Sequence, residues 1–144
     1  MIDPKDLPEC CQKCKLWEGC KSYRMNGKGP IQADILFVGE SPGENEDEAN
    51  TPWVGKAGQL LHSTLDTLEI DRTMRFTNVV RCRPPENRTP NATEINYCKD
   101  FLVQEIIDCD PKVIVLLGST PLSAVLGLGP IGTYQGQAAI ERDG

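Results

Sequence analysis

Three short runs of apolar and β-branched residues constrain this fold more than anything else in the chain. They are ADILFVG ending at Gly39, a stretch from about Phe76 to Val80, and KVIVLLG ending at Gly118. Brief continuous runs of this kind suit strands buried on both faces, as in parallel sheets covered by helices. Amphipathic stretches separate them. Between the first two runs, Ala57, Leu60, Leu61, Leu65 and Leu68 fall on one helical face. Before the third, Asn91 and Glu94 have the spacing of a capping box, and Ile95, Cys98, Leu102, Ile106 and Cys109 share the face that follows. TPLSAVLG, closed by Gly127, reads as a short helix. This alternation predicts an α/β fold with three layers, α/β/α, and a largely parallel sheet. At 144 residues the chain is about one domain long, so residues 1–144 read as a single unit. Residues 1–30 are polar and rich in Cys and Lys, and read as a short helical or irregular cap outside the core.

Two polar segments, ESPGENEDEANTPWVGK and RCRPPENRTPN, leave the carboxyl ends of strands. In open α/β sheets that edge is where ligands bind. Glu40 follows the first strand directly, where a carboxylate is held rigidly. Trp53 stands in an otherwise polar loop, either against a ligand or as a core anchor. Asn78 closes the second strand, and its amide offers a donor and an acceptor, to a ligand or to a neighbouring turn. Glu44, Asp47 and Glu48 read mostly as solvated loop acids.

The N-terminal MIDPKDLPECC lacks the apolar stretch of a signal peptide, and no run approaches the roughly 18 apolar residues of a membrane span. The expected location is cytoplasmic, where thiols stay reduced. Seven cysteines, an odd count, then argue for metal or cluster ligation over a disulfide framework. Cys11 and Cys14 form a C-x2-C knuckle, while Cys82 and Cys98 stand alone downstream. A zinc ribbon would need a second knuckle, so a four-cysteine iron–sulfur cluster is the better match. Two alternatives stay open. Cys98 and Cys109 also suit a helix core face, and Cys10 or Cys20 can replace a member of the N-terminal pair. The net charge of −6 opposes nucleic-acid binding, so any DNA contact needs a local patch. Arg81, Arg83 and Arg88, with Lys56 near, form the one patch the sequence offers.

GESPGENEDE, PWVGKAGQLL, TNVVRCRPPENRTP and KVIVLLG, in this order, resemble the family 4 uracil-DNA glycosylases and the related domains of phage DNA polymerases. The resemblance runs from about Cys11 to the end of the chain. It implies a DNA-repair hydrolase that flips uracil out of DNA and cleaves its N-glycosidic bond. It implies a 4Fe–4S cluster on Cys11, Cys14, Cys82 and Cys98. It places Glu40 and the Ser41 backbone beside sugar and base, Trp53 where a Phe usually stacks on the base, Asn78 at the uracil edge, and Glu46 at a further acidic position of catalytic character. Ser41 departs from the family's usual Gly or Ala. A second family motif of the His-Pro-Ser type is absent, and His62, on the first long helix, does not supply it. ERDG falls where the family begins its next strand, so the expectation is a fold truncated at the C-terminus with little activity by itself. Expected partners are uracil-containing DNA and either a replication protein or a chain that completes the sheet, with no membrane role. The rival readings are a non-catalytic iron–sulfur module that binds DNA or a replication protein, and an acidic protein-interaction domain.

Overall fold

A computed structural model describes residues 2–129 and 131–138. The three apolar runs form β1 (Ile35–Gly39), β2 (Met74–Asn78) and β3 (Val113–Leu116). They make one parallel sheet in the order β2-β1-β3. The chain crosses from β1 to β2 through α2 (Glu44–Ala49) and α3 (Lys56–Leu68), and returns past β1 to β3 through α4 (Ala92–Cys109). Right-handed crossovers in opposite directions put α3 and α4 on opposite faces of the sheet. This is the layered α/β arrangement that the alternation of runs predicts. Leu36, Val38, Val79 and Val80 are fully buried at its centre.

The second strand begins and ends two residues earlier than the sequence suggests. Val79 and Val80 leave the ladder, yet their N–H groups still donate to the Gly39 and Glu40 carbonyls, at 2.8 and 3.0 Å. The capping box opening α4 is present. Asn91 Oδ1 accepts from the Glu94 N–H at 2.9 Å, and Glu94 Oε2 accepts from the Asn91 N–H at 3.0 Å. Cys98, Leu102 and Cys109 are buried on the expected face of α4. The α3 face differs from expectation, since Leu60 and Leu68 are 69% and 61% exposed. The inner side of α3 runs through Gly58, Leu61, His62 and Leu65. A Cβ on Gly58 would collide with the Trp53 carbonyl, so this tight contact sets the rotation of the helix. The span read as a featureless first loop contains α2, which acids in its first turn favour.

The N-terminal segment is not the peripheral cap that its composition suggests. It carries α1 (Glu9–Cys14) and buries Leu7, Leu16 and Met25. Lys28 and Phe76 exchange two backbone hydrogen bonds of 2.8 Å, which covers the outer edge of β2. The outer edge of β3 has no strand partner among the described residues. After β3 come α5 (Ser119–Leu126) and the short α6 (Ile131–Tyr134). The expectation attached to ERDG lies outside the described residues. No helix among the described residues is long and apolar enough to cross a membrane.

A buried ion cluster fastens the N-terminal segment, β2 and α4 together. Glu105 accepts from Arg75 Nε through Oε2 and from Arg81 Nη2 through Oε1, both at 2.8 Å. Arg75 also donates to the Gly29 carbonyl at 2.6 Å. All three side chains are at most 12% exposed. Removing one partner of such a cluster strands a buried charge. Glu105→Gln should therefore lower stability by about 3–5 kcal/mol. Urea denaturation checks this: a midpoint equal to wild type would mean that the cluster contributes nothing.

Candidate functional site

The loops after all three strands meet at the carboxyl edge of the sheet. Gly39 and Asn78 are paired in the parallel register that closes β1 against β2. A Cβ on Gly39 would strike the Trp53 ring at Cζ2 and lie 2.7 Å from Asn78 Oδ1. The indole and the amide therefore converge on one spot, which only glycine leaves open. Trp53 donates its Nε1–H to the Thr77 carbonyl at 3.1 Å, so the half-buried ring is anchored to β2. Its own backbone is left-handed at φ 60°, a conformation that β-carbon sterics disfavour and that surrounding structure must hold in place. Asn78 is 6% exposed, and its side-chain amide has no hydrogen bond from the described residues. Buried amides are normally satisfied, so an unused one beside an aromatic ring is available to a ligand.

Glu40 follows Gly39, and Thr120 Oγ1, in the first turn of α5, donates to Glu40 Oε2 at 2.7 Å. Sequence reading missed Thr120, because nothing local marks a threonine that acts across the sheet. Ser41 is half-buried beside Glu40. Glu46, expected as a catalytic acid, is bonded to the backbone of its own loop. Its Oε1 accepts from the Gly43 N–H at 3.1 Å, and its Oε2 accepts from the N–H groups of Val54, at 2.9 Å, and Gly55. With both oxygens accepting from backbone, the carboxylate shapes the loop. Asp47 is likewise no solvated acid. It is 4% exposed and accepts from the Lys21 and Ser22 N–H groups at 3.0 and 2.8 Å.

The expected basic patch comes apart. Arg81 is buried against Glu105, so it is not a surface cation. Arg88 makes a forked pair with Glu94, at 2.9 and 2.6 Å, which raises the Arg88 pKa and lowers that of Glu94. Arg83 donates to Asn87 Oδ1 at 2.7 Å. Lys56, exposed at the start of α3, has no carboxylate partner among the described residues.

Six of the seven cysteines gather between α1, the segment after β2, and α4. Cys11 interacts with Cys10 and Cys98, Cys98 with Cys14 and Cys10, and Cys82 with Cys20 and Cys98. Burial pushes the Cys11 and Cys98 thiols up to about 12 and about 11, and raises Cys14. Donating a hydrogen bond to Cys20, with burial, raises Cys82, and the same contact lowers Cys20. Two backbone donors already point at sulfur. The Arg24 N–H reaches Cys82 Sγ and the Arg81 N–H reaches Cys98 Sγ, both at 3.3 Å. The positive charges of Arg24 and Arg81 favour thiolates at Cys11 and Cys98. Cys109 lies apart, donating to the Ala33 carbonyl at 3.6 Å. Among the described residues no three side chains close around a point as ligands of a single metal ion do.

Together these features define a layered α/β domain with a polar site at the strand ends and a thiol-rich flank. The chain belongs to the uracil DNA glycosylase superfamily, whose sequence profile matches residues 26–141. It is 47% identical over 110 residues to the type-4 uracil-DNA glycosylase of Sulfurisphaera tokodaii, covering 75% of this chain and 50% of that protein. Against the type-4 enzyme of Pyrobaculum aerophilum it is 43% identical over 127 residues, covering 85% and 63%. A DNA polymerase of Bacillus phage SP01 is 32% identical over 115 residues, which is 78% of this chain and 12% of the polymerase. The chain thus spans about half the length of the curated relatives it matches.

Gly39→Ala should displace the Trp53 ring and the Asn78 amide and cost about 1–3 kcal/mol, as overpacking does. Near-ultraviolet circular dichroism and thermal unfolding check this; an unchanged tryptophan signal would mean that the ring is not seated on Gly39.

Proposed function

We propose that this chain is a single glycosylase domain that recognises uracil in DNA, draws the nucleotide out of the stack and serves its excision. The observation that carries the reading is the convergence of Trp53 and the unused Asn78 amide on Gly39, beside the Thr120-held carboxylate of Glu40. Those are the groups such chemistry needs. Flipping a nucleotide costs a few kcal/mol, and an aromatic surface offsets part of it. The Asn78 amide donates to a carbonyl oxygen and accepts from an imide N–H, a pairing that uracil offers and cytosine does not. In the bond-breaking step the C1′–N1 electron pair leaves with the base as an anion, and water supplies hydroxide to C1′ and a proton to the medium. The sugar gains cationic character, which the Glu40 carboxylate stabilises, while the Ser41 backbone N–H faces the oxygen of the departing base. Glu46 positions the loop. Lys56 and Arg83 remain for phosphate contacts, with Arg81 serving inside and Arg88 paired to Glu94. Uracil-containing DNA is the substrate, the location is cytoplasmic, and contact with the replication machinery accords with the phage polymerase relative.

We assign Cys11, Cys14, Cys82 and Cys98 as the residues that would hold a 4Fe–4S cluster. Cys98 neighbours Cys10, Cys11, Cys14 and Cys82, and the two backbone N–H groups on Cys82 and Cys98 would stabilise thiolates. Once bound, such a group supplies a tie between the N-terminal segment and α4. Cys98→Ser should lose bound iron and visible absorbance together, while Cys109→Ser should keep both. Equal iron in the two variants would show the ligand assignment to be wrong.

Recognition is tested by comparing affinity for a DNA strand bearing one uracil with that for the same strand bearing thymine. The expected result is a clear preference for uracil, reduced by about 1–3 kcal/mol in Trp53→Ala, the scale of base stacking. Equal affinity for the two strands in the wild type would refute the reading.

A further inference from the structure

Seven of the fifteen cations of this acidic chain are already paired among the described residues. Lys5, Lys13, Lys21, Arg75, Arg81, Arg88 and Lys112 all pair with carboxylates. Arg24 and Lys28 do not, and both line one groove of about 480 Å³ that has no carboxylate in its walls. One wall is the segment 23–28, held along the edge of β2 by the Lys28–Phe76 bonds and by the Met25 N–H on the Arg81 carbonyl. The other is Asn50 to Pro52, the residues that lead directly into Trp53. Tyr23 adds an aromatic face, while Asn50 and Thr51 add hydrogen-bonding groups.

The charge behind the groove favours an anion. Gly27 packs on Glu105 and Arg75, members of a cluster of two arginines and one glutamate, which leaves one positive charge in excess. Arg24 is held 4.8 Å over the Phe101 ring, one turn from Glu105 on α4. The acids of the adjoining α2 are largely spoken for. Asp47 and Glu46 accept backbone N–H groups, and Glu48 pairs with Lys21. A positive groove with an aromatic wall is the general form of a site for a nucleic-acid strand.

We propose that this groove binds the sugar–phosphate backbone of the DNA strand flanking the nucleotide at Trp53, with Lys28 and Arg24 as its phosphate contacts. It rests on the glycosylase reading only in taking DNA as the strand, and it adds a surface that the Arg83–Arg88 loop does not include. Fluorescence anisotropy with a labelled, uracil-free single strand tests it. Lys28→Glu should weaken binding severalfold and flatten the dependence of log affinity on log salt by about 0.7 or more, the value of one phosphate contact on a single strand. Lys112→Glu, a charge change at the start of β3, should bind as wild type does. If Lys28→Glu disturbs the bridge to Phe76, Asn50→Asp on the other wall carries the test with the same expectation. Wild-type affinity and salt dependence in the folded groove variant, an equal loss in Lys112→Glu, or no wild-type binding to the uracil-free strand overturns the proposal. The same strand with one uracil separates the two readings. A wild type without uracil preference refutes the glycosylase reading, while the Lys28 effect still decides the groove.

Discussion

The candidate site depends on one pairing, Gly39 opposite Asn78 at the end of β1 and β2. Side chains alternate between the faces of a sheet, so a slip of one residue would carry every buried side chain of β2 to the other face and the amide with it. Hydrogen bonds from Val79 to Gly39 and from Val80 to Glu40 continue the pairing beyond the ladder. They lock the start of both loops in the same register. Trp53 then closes on the Gly39 surface by its bond to Thr77, and Thr120 approaches Glu40 from beyond β3. Each strand of the sheet thus contributes one fixed point, and β1, paired on both sides, sets the spacing among them.

The thiol-rich flank depends on the same frame. Cys82 and Cys98 stand on elements that the sheet has already placed, whereas the N-terminal cysteines arrive on a segment with few apolar residues. That segment is secured by bonds to every part it crosses: Lys28 to β2, Asp47 to residues 21 and 22, and the Gly29 carbonyl to Arg75. A long polar segment would not hold this position by burial alone, since its side chains remove little apolar area from water.

Much of the frame was legible in the chain. Short apolar runs separated by amphipathic stretches announce parallel strands, and Asn91 with Glu94 announces where α4 begins, because both signals are local. The misreadings share a cause in tertiary contacts that the local pattern does not carry. Leu60 and Leu68 suit a buried stripe, yet the close approach of Gly58 to the Trp53 backbone turns them outward. Arg81 reads as a surface cation beside Cys82, but Glu105 draws it inside. A signal for that exists in hindsight: Glu105 interrupts the stripe of Cys98, Leu102 and Cys109, and a carboxylate among buried residues demands a cation. Asp47 and Thr120 have no such mark, because their partners are 25 and 80 residues away.

The three amides gathered by Glu46 bear on how a ligand would meet this protein. Residues 43 and 55 bracket a turn, a helix and the approach to Trp53, and one side chain draws both ends together. A loop closed in this way has surrendered its freedom before anything binds. A ligand at Trp53 would then find the indole in place, and the cost of ordering the loop would not be deducted from its affinity. The protein meets that cost once, during folding, through the Glu46 carboxylate.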